Sequence, residues 1–217
     1  MMTETTPAAA PSSFARVLIW DAPTRLCHGL LATCLAGAYA TAGWDAWQPV
    51  HEMLGDTTIG LVLFRVFWGF AGTRYARFST AMAGPAAIAH HLAHLPYGWS
   101  RRYAGHSPVG AMLVLLLWLL ILALGVSGWA AQAATATDTA VRLHEGLGHA
   151  VLGALGLHAA AVVFSSWRAG ENLPLAMVTG TQWGRPGEGI ESAKPGVAWL
   201  VLAVVAGFWW YRWSNLG

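Results

Sequence analysis

The sequence predicts an all-α integral membrane protein, and three observations lead to this fold class. Hydrophobic residues make up 56% of the 217 positions and charged residues only 10%, whereas soluble domains carry roughly 25% charged residues. Five apolar stretches approach the length of about 20 residues that a spanning helix needs. Several of the 13 tryptophans stand at the ends of these stretches, where indoles anchor helices at the membrane interface. Nearly the whole chain is therefore expected to lie in or against the lipid bilayer.

The five stretches predict a bundle of four transmembrane helices and a fifth C-terminal transmembrane helix. They cover residues 26–43, 53–71, 109–130, 146–167 and 197–213. Pro23, Pro49 and Pro108 precede the first three, as expected where helices begin. The fifth stretch is short and rich in aromatic residues, so a helix lying in the membrane interface fits it as well.

Composition divides the chain into three parts. Residues 1–15 are rich in Thr, Ala, Ser and Pro and have neither the basic start nor the apolar core of a signal peptide, which predicts a disordered cytoplasmic lead. Residues 16–180 contain the first four apolar stretches and form the expected functional domain. Residues 181–217 are expected to be a linker and the C-terminal apolar helix.

The distribution of basic residues predicts the orientation in the membrane. Nine basic residues flank one side of the predicted bundle, namely Arg16, Arg25, Arg74, Arg77, Arg101, Arg102, Arg168, Arg185 and Lys194. The other side has only Arg142 and Arg212. Because basic residues accumulate in cytoplasmic loops, the N-terminus is expected in the cytoplasm and the C-terminus outside. A net charge of +2 without a basic run that alternates with aromatics excludes a nucleic-acid partner.

Four histidines are expected at two depths of the bundle. His144 and His158 are fourteen residues apart, which is close to four helical turns, so they share a face about 21 Å apart along the axis. His28 lies near the cytoplasmic start of the first helix and His51 near the outer start of the second. This topology pairs His28 with His158 on the cytoplasmic side and His51 with His144 on the outer side. The alternative is that they are core histidines bonded to neighbouring backbone.

Two histidines at each depth favour a b-type haem over zinc. A bundle can hold a flat macrocycle between facing helices with one imidazole on each axial position, whereas a zinc site needs four ligands grouped together. Small residues should line such a slot, although close helix packing selects them too. The candidates are Gly29, Gly37, Gly55, Gly60, Gly125, Gly128, Gly148, Gly153 and Gly156.

Two arginines are candidate partners of the haem propionates. Arg65 lies in an apolar stretch fourteen residues after His51 and therefore on the same helix face. A buried arginine needs an anion, and propionates supply two. Arg25, three residues before His28, is the second candidate, although it also fits an ordinary cytoplasmic basic residue.

The remaining histidines and the cysteines are interpreted mainly as structural. His90 and His91 with His94 superficially resemble a metal pair, but the absence of a nearby acid favours a helix on the cytoplasmic membrane surface. His149 is turned about 140° from His144 and is expected to pack. His106 fits either a contact with a propionate or quinone, or a helix-entry residue. Cys27 and Cys34 are too far apart on one helix for a disulfide and are expected to be small buried apolar residues.

Five segments together resemble a known family. They are WDAPTRLCH at residues 20–28, VHEMLG at 50–55, FRVFWGFAGTRYARF at 64–78, GHSPVGA at 105–111 and LHEGLGHAVLGALGLH at 143–158. The combination resembles the bacterial cytochrome b561 family, which includes the cytochrome b subunits of nickel-iron hydrogenases, over about residues 17–180.

The resemblance implies a four-helix bundle with two bis-histidine b haems, and His28, His51, His144 and His158 match the family's ligands. The first hypothesis is an electron carrier in the bacterial inner membrane, between the quinone pool and a periplasmic partner such as a cytochrome c or a hydrogenase. The second is a self-sufficient superoxide:quinone oxidoreductase, and the third a non-redox membrane module. Whether the chain is itself an enzyme is left open by the sequence.

Overall fold

The structure, a computed structural model, describes residues 14–81, 84–94, 103–133 and 135–215. The secondary structure runs β1 (Ala15–Leu18), α1 (Ala22–Thr41), a 3₁₀ turn (Asp45–Trp47), α2 (Gln48–Ala71), α3 (Phe78–Ala81), α4 (Pro85–His94), α5 (Pro108–Gln132), α6 (Asp138–Ala169), α7 (Leu173–Thr179), β2 (Thr181–Gly184) and α8 (Pro195–Ser214). Most of the predicted lead, residues 1–13, and the basic pair at 101–102 lie outside the described residues.

The predicted all-α membrane fold is confirmed. Within the described residues, four helices are long and apolar enough to cross a membrane, namely α2 with its preceding turn, α5, α6 and α8. The C-terminal helix therefore qualifies as a span by length and composition. Helix α1 has 20 residues as α8 does, but Arg25 and His28 reduce its hydropathy, and it is not among the four. Each of the five predicted apolar stretches forms a long helix.

The bundle is built from two antiparallel helix pairs. Helix α1 packs against α2 and α5 against α6, and α2 joins the pairs by packing against α5. One apolar cluster at the centre contains Val62 of α2, Ile121 of α5 and Val151 of α6. Helix α6 packs against α5 and α7 and makes no extensive contact with α1 or α2. The helix that carries two of the four predicted ligands therefore stands apart from the helices that carry the other two.

Helix α8 packs on the outside of the first pair, against α1 and α2. The Trp209 indole donates a hydrogen bond to Thr57 Oγ1 at 2.8 Å. Arg212 Nη2 donates to Glu52 Oε2 at 3.3 Å. Polar groups within a span are expensive to leave unpaired, so these contacts fix the rotation of α8 against α2.

A short β-ribbon marks one end of the bundle, called the ribbon end below. Strands β1 and β2 pair antiparallel, with Ala15 opposite Gly184 and Leu18 opposite Thr181. Gly180, with a φ of +86°, turns the chain from α7 into β2, and its carbonyl accepts hydrogen bonds from the backbone N–H groups of Ile19 and Trp20. The other end, where the α1–α2 and α5–α6 connections lie, is called the opposite end. No pattern noted in the sequence predicted this ribbon.

Asp21 connects the start of α1 to the end of α2. Its carboxylate is buried, with 1% of the residue exposed. One oxygen caps α1 by accepting from Thr24 N at 2.8 Å, and the other accepts from Trp68 Nε1 at 2.9 Å and Thr73 Oγ1 at 2.6 Å. An aspartate before a proline-containing first turn is a typical helix start. Here the cap also fixes the rotation of α1, and therefore of His28, relative to α2.

The cysteines agree with the sequence analysis, since Cys27 and Cys34 are both free and buried. The candidate glycines divide into two groups. At three of them a Cβ would come closer than ordinary packing distance to a neighbouring side chain, so close packing accounts for these glycines. They are Gly37 against Leu54, Gly125 against Ile59 and Gly128 against His144. At the other six, Gly29, Gly55, Gly60, Gly148, Gly153 and Gly156, a Cβ would meet no described protein atom within 4 Å.

Candidate functional site

His51 of α2 and His144 of α6 face each other at the opposite end of the bundle. Their ring centroids are 6.1 Å apart and the ring planes are nearly perpendicular, at 85°. Two metal–nitrogen bonds of about 2 Å, with about 1.1 Å from each nitrogen to its ring centre, give roughly 6 Å between imidazoles that share one metal ion. The observed separation therefore fits one ion held between the two rings.

In each of these rings one nitrogen is hydrogen-bonded to a backbone carbonyl. His51 Nδ1 lies 2.8 Å from the carbonyl oxygen of Ala38, and His144 Nδ1 lies 3.1 Å from that of Leu124. Because a carbonyl oxygen only accepts, Nδ1 carries the proton in both rings, and the Nε2 lone pair is free for a metal. This is the arrangement usual for metal-binding histidines.

His28, His158, His106 and Arg65 form a second level, at the ribbon end. His28 and His158 are within electrostatic range of each other, and His106 is within range of both and of Arg65. Among the described residues, neither His28 nor His158 has a hydrogen bond to its ring. The structure thus brings His51 and His144 together at 6.1 Å and places His28 within electrostatic range of His158.

Arg65 is a buried cation without a carboxylate partner. It is 7% exposed, its Nη1 donates to Thr24 Oγ1 at 3.0 Å, and its guanidinium lies over the Trp118 ring at 5.4 Å. Within the described chain it makes no ion pair, and the nearby Asp21 already accepts three hydrogen bonds. A guanidinium has five N–H donors, and a buried charge is costly unless it is paired. An anionic group at this level would satisfy it.

Arg25 lies at the same end, beside the turn that leads into β2. Its Nη1 donates to the carbonyl of Thr179 at 3.2 Å. Its Nε is buried and has no hydrogen-bond partner among the described residues. An unpaired buried donor costs about 1–3 kcal/mol. Arg25 is therefore more than an exposed basic residue at the membrane surface, and it has a donor available for a second anion.

His106 is the residue whose role the sequence left open. Its ring contacts the Trp20 indole edge to face, with centroids 4.8 Å apart. The preceding residue, Gly105, has a φ of +82°, and its N–H donates to Gln182 Oε1 at 3.1 Å. The β-ribbon thereby fixes the loop and holds His106 beside the ribbon-end pair.

Burial, and to a smaller extent the positive charges of Arg65, His158 and His28, lower the pKa of His106 from its usual 6.5 to about 4. Between these two pH values the unfolded chain binds a proton that the folded protein does not, so stability is lost as pH falls through this range. We expect the thermal midpoint of the His106→Gln variant to fall less steeply between pH 6.5 and 4 than that of the wild type. Replacing the exposed His149 with Gln is the matched control and should leave the slope unchanged; equal slopes in all three proteins would contradict the burial of a neutral His106.

The other histidines do not join either level. His149 is exposed and its Nδ1 is bonded to the carbonyl of Glu145 on its own helix, so it is turned away from the site, as predicted, but does not pack. The predicted helix around His90 is present as α4, beside α5. Within the described ranges, no group of three or more His, Cys, Asp or Glu side chains could hold a metal ion.

Ser127 and Gly128 of α5 are site residues that sequence reasoning missed. Ser127 Oγ lies 3.2 Å from His144 Nδ1, and a Cβ at Gly128 would lie 3.0 Å from His144 Cε1. Gly128 was identified only as a small residue, and Ser127 was not identified. The only signal in the sequence is that both stand on α5 at the depth of His51 and His144.

The residues of both levels fit a haem. Each level offers two imidazoles, the helices that carry each pair stand apart, and the ribbon end adds cations without carboxylate partners. A family model described as prokaryotic cytochrome b561 matches residues 19–180. The comparisons with curated proteins and with solved structures found no match.

Proposed function

Because the chain belongs to the prokaryotic cytochrome b561 family, it is a multi-pass bacterial membrane cytochrome b that binds haem, and we propose that it carries electrons between a periplasmic partner and quinone. Two b haems, one at each histidine level, form the path. The single observation that carries the proposal is the pairing of His51 and His144 at 6.1 Å with each Nε2 free.

His51 and His144 would hold the haem at the opposite end. The carbonyls of Ala38 and Leu124 fix the tautomer of each ring, so that the Nε2 lone pair would be available to the metal. Gly55 lies one turn beyond His51 on α2, and a Cβ there would meet no described protein atom within 4 Å, which supports a flat ligand at this depth.

His28 and His158 would hold the haem at the ribbon end. Arg65 would bind one propionate through the donors that Thr24 leaves unused, and Arg25 would offer its buried Nε to the other. Charge-assisted hydrogen bonds of this kind are about twice as strong as neutral ones. Together the two arginines orient the macrocycle and offset the charge of its carboxylates.

The ribbon end faces the cytoplasm. Seven basic residues of the described chain flank this end, namely Arg16, Arg25, Arg74, Arg77, Arg168, Arg185 and Lys194, and two, Arg142 and Arg212, flank the opposite end, as the positive-inside rule requires. His51 and His144 would then hold a haem on the side of a periplasmic cytochrome c or hydrogenase-like partner, and His28 and His158 would hold one on the side of the proposed quinone. Haem, when bound, supplies the one-electron redox chemistry, and the chain supplies ligation, burial and charge pairing. Either direction of electron flow fits this arrangement.

The test measures electron transfer across vesicles that contain the protein and a short-chain quinol. Soluble oxidised cytochrome c outside the vesicles serves as the membrane-impermeant acceptor, and protein-free vesicles give the background. We expect quinol-dependent reduction of cytochrome c that is lost in both the His51→Ala and the His158→Ala variant and retained in His149→Ala. Turnover that survives loss of either histidine would contradict the two-haem path. Quinone reduction by superoxide alone, without a partner protein, would instead favour a self-sufficient enzyme.

A further inference from the structure

The His144 ring is held by one turn of α5. Its Nδ1 lies 3.1 Å from the Leu124 carbonyl oxygen and 3.2 Å from Ser127 Oγ. Ser127 Oγ donates its own proton to the Leu124 carbonyl at 2.8 Å, so towards Nδ1 it acts as an acceptor. The N–H of His144 is therefore shared between two oxygens of the same turn.

The position of this turn leaves the ring little freedom. Ser127 and Gly128 are both buried. Glycine at 128 allows α5 to approach so closely that a Cβ there would lie 3.0 Å from Cε1 and 3.3 Å from Nδ1 of His144. The ring is thus held through Nδ1 by hydrogen bonds and beside Cε1 by the close approach of the helix, while Nε2 lies farther from that Cβ position, at 3.8 Å.

We propose that Ser127 is a positioning residue that sets the orientation and the basicity of His144, and thereby the redox potential of the opposite-end haem. An acceptor on Nδ1–H makes the imidazole a stronger donor at Nε2. A stronger axial donor stabilises the oxidised metal and lowers the potential, since second-shell hydrogen bonding is one of the means by which a protein tunes haem. This inference rests on the proposed function, because it requires that His144 ligates a haem.

The effect should be confined to one level. His51, on the other side of the same haem, has only the Ala38 carbonyl at Nδ1. At the ribbon end, His28 and His158 make no ring hydrogen bond within the part of the chain that the structure describes. A substitution at Ser127 therefore alters the hydrogen bonding of only one of the four proposed haem ligands, His144.

The experiment is a spectroelectrochemical titration of the Ser127→Ala and Ser127→Thr variants. Thr58→Val is the matched control, because Thr58 is also buried and donates to a carbonyl of its own helix, that of Leu54, at 2.8 Å. In Ser127→Ala we expect a higher midpoint potential for the opposite-end haem and an unchanged midpoint potential for the ribbon-end haem. We also expect the opposite-end haem to dissociate up to about tenfold faster. Threonine, which keeps the hydroxyl, should restore the wild-type midpoint, and the control should match the wild type. Repeating Ser127→Ala in the His158→Ala background assigns the shifted component.

Two results would overturn the inference while the proposed function stands: two haems with unchanged midpoints in Ser127→Ala, or equal shifts of both. A wild-type protein without haem at His144 would instead remove the proposed function itself. If Ser127→Ala unfolds, Ser127→Cys, whose sulfur is a weaker acceptor, must show the same upward shift confined to one haem.

Discussion

Replacing His158 with alanine is expected to halve the haem content of the purified protein. His158 lies at the ribbon-end level with His28 and Arg65, fourteen residues from His144 on the same helix. Loss of this imidazole would leave a haem at the ribbon end with only His28 to hold it, and would leave the opposite-end pair untouched. The measurement is the pyridine haemochrome absorbance per mole of protein, before and after gel filtration.

The control for this variant is His149→Ala, on the same helix. His149 is exposed and bonds only the carbonyl of Glu145, so its loss should leave the haem content unchanged. Full haem content in His158→Ala, or an equal loss in both variants, would show that His158 is not a ligand.

Asp21→Asn is expected to cause the largest loss of stability. The Asp21 carboxylate accepts from Thr24 N, Trp68 Nε1 and Thr73 Oγ1 while buried, and it lies near the buried charge of Arg65. In asparagine an NH₂ group replaces one carboxylate oxygen, so its two protons would face groups that are themselves hydrogen-bond donors. The substitution would also remove the negative charge. Breaking hydrogen bonds to a buried charged group costs on the order of 3 kcal/mol or more.

That loss corresponds to a fall of roughly 6–12 °C in the thermal midpoint of a protein of this size. It can be measured in detergent by the fluorescence of the tryptophans. Asp45→Asn is the matched control, because Asp45 is exposed at the opposite end, and its midpoint should stay within about 1 °C of the wild type. A midpoint for Asp21→Asn equal to that of the control would contradict the role of Asp21 in joining α1 to α2.

The long helices could be predicted because their cause is local. Apolar runs and the prolines before them predicted all five, with α2 ending at Ala71 as expected. Helix α6 begins at Asp138, eight residues before the apolar stretch. Its first turns carry Asp138, Arg142 and Glu145, which are helical but not apolar, so hydropathy detects the part of a helix that lies in lipid and misses its extension into water.

The pairing of the histidines could be predicted because two simple facts determine it: the helical repeat between His144 and His158, and the alternation of span direction. The rest depends on contacts between residues distant in sequence. Strands of four residues that are more than 160 positions apart give no periodic signal. The hydrogen bond between Ser127 and His144 depends on the rotation of α5 about its axis. The sequence does not reveal this rotation, because α5 is apolar on nearly every face.

The most direct test of the account is the number of haems bound by one chain. We expect two b haems per polypeptide in the purified wild-type protein, measured by pyridine haemochrome against quantitative amino-acid analysis. A ratio of one, or a stably folded protein without haem, would contradict the two histidine levels on which the electron path depends.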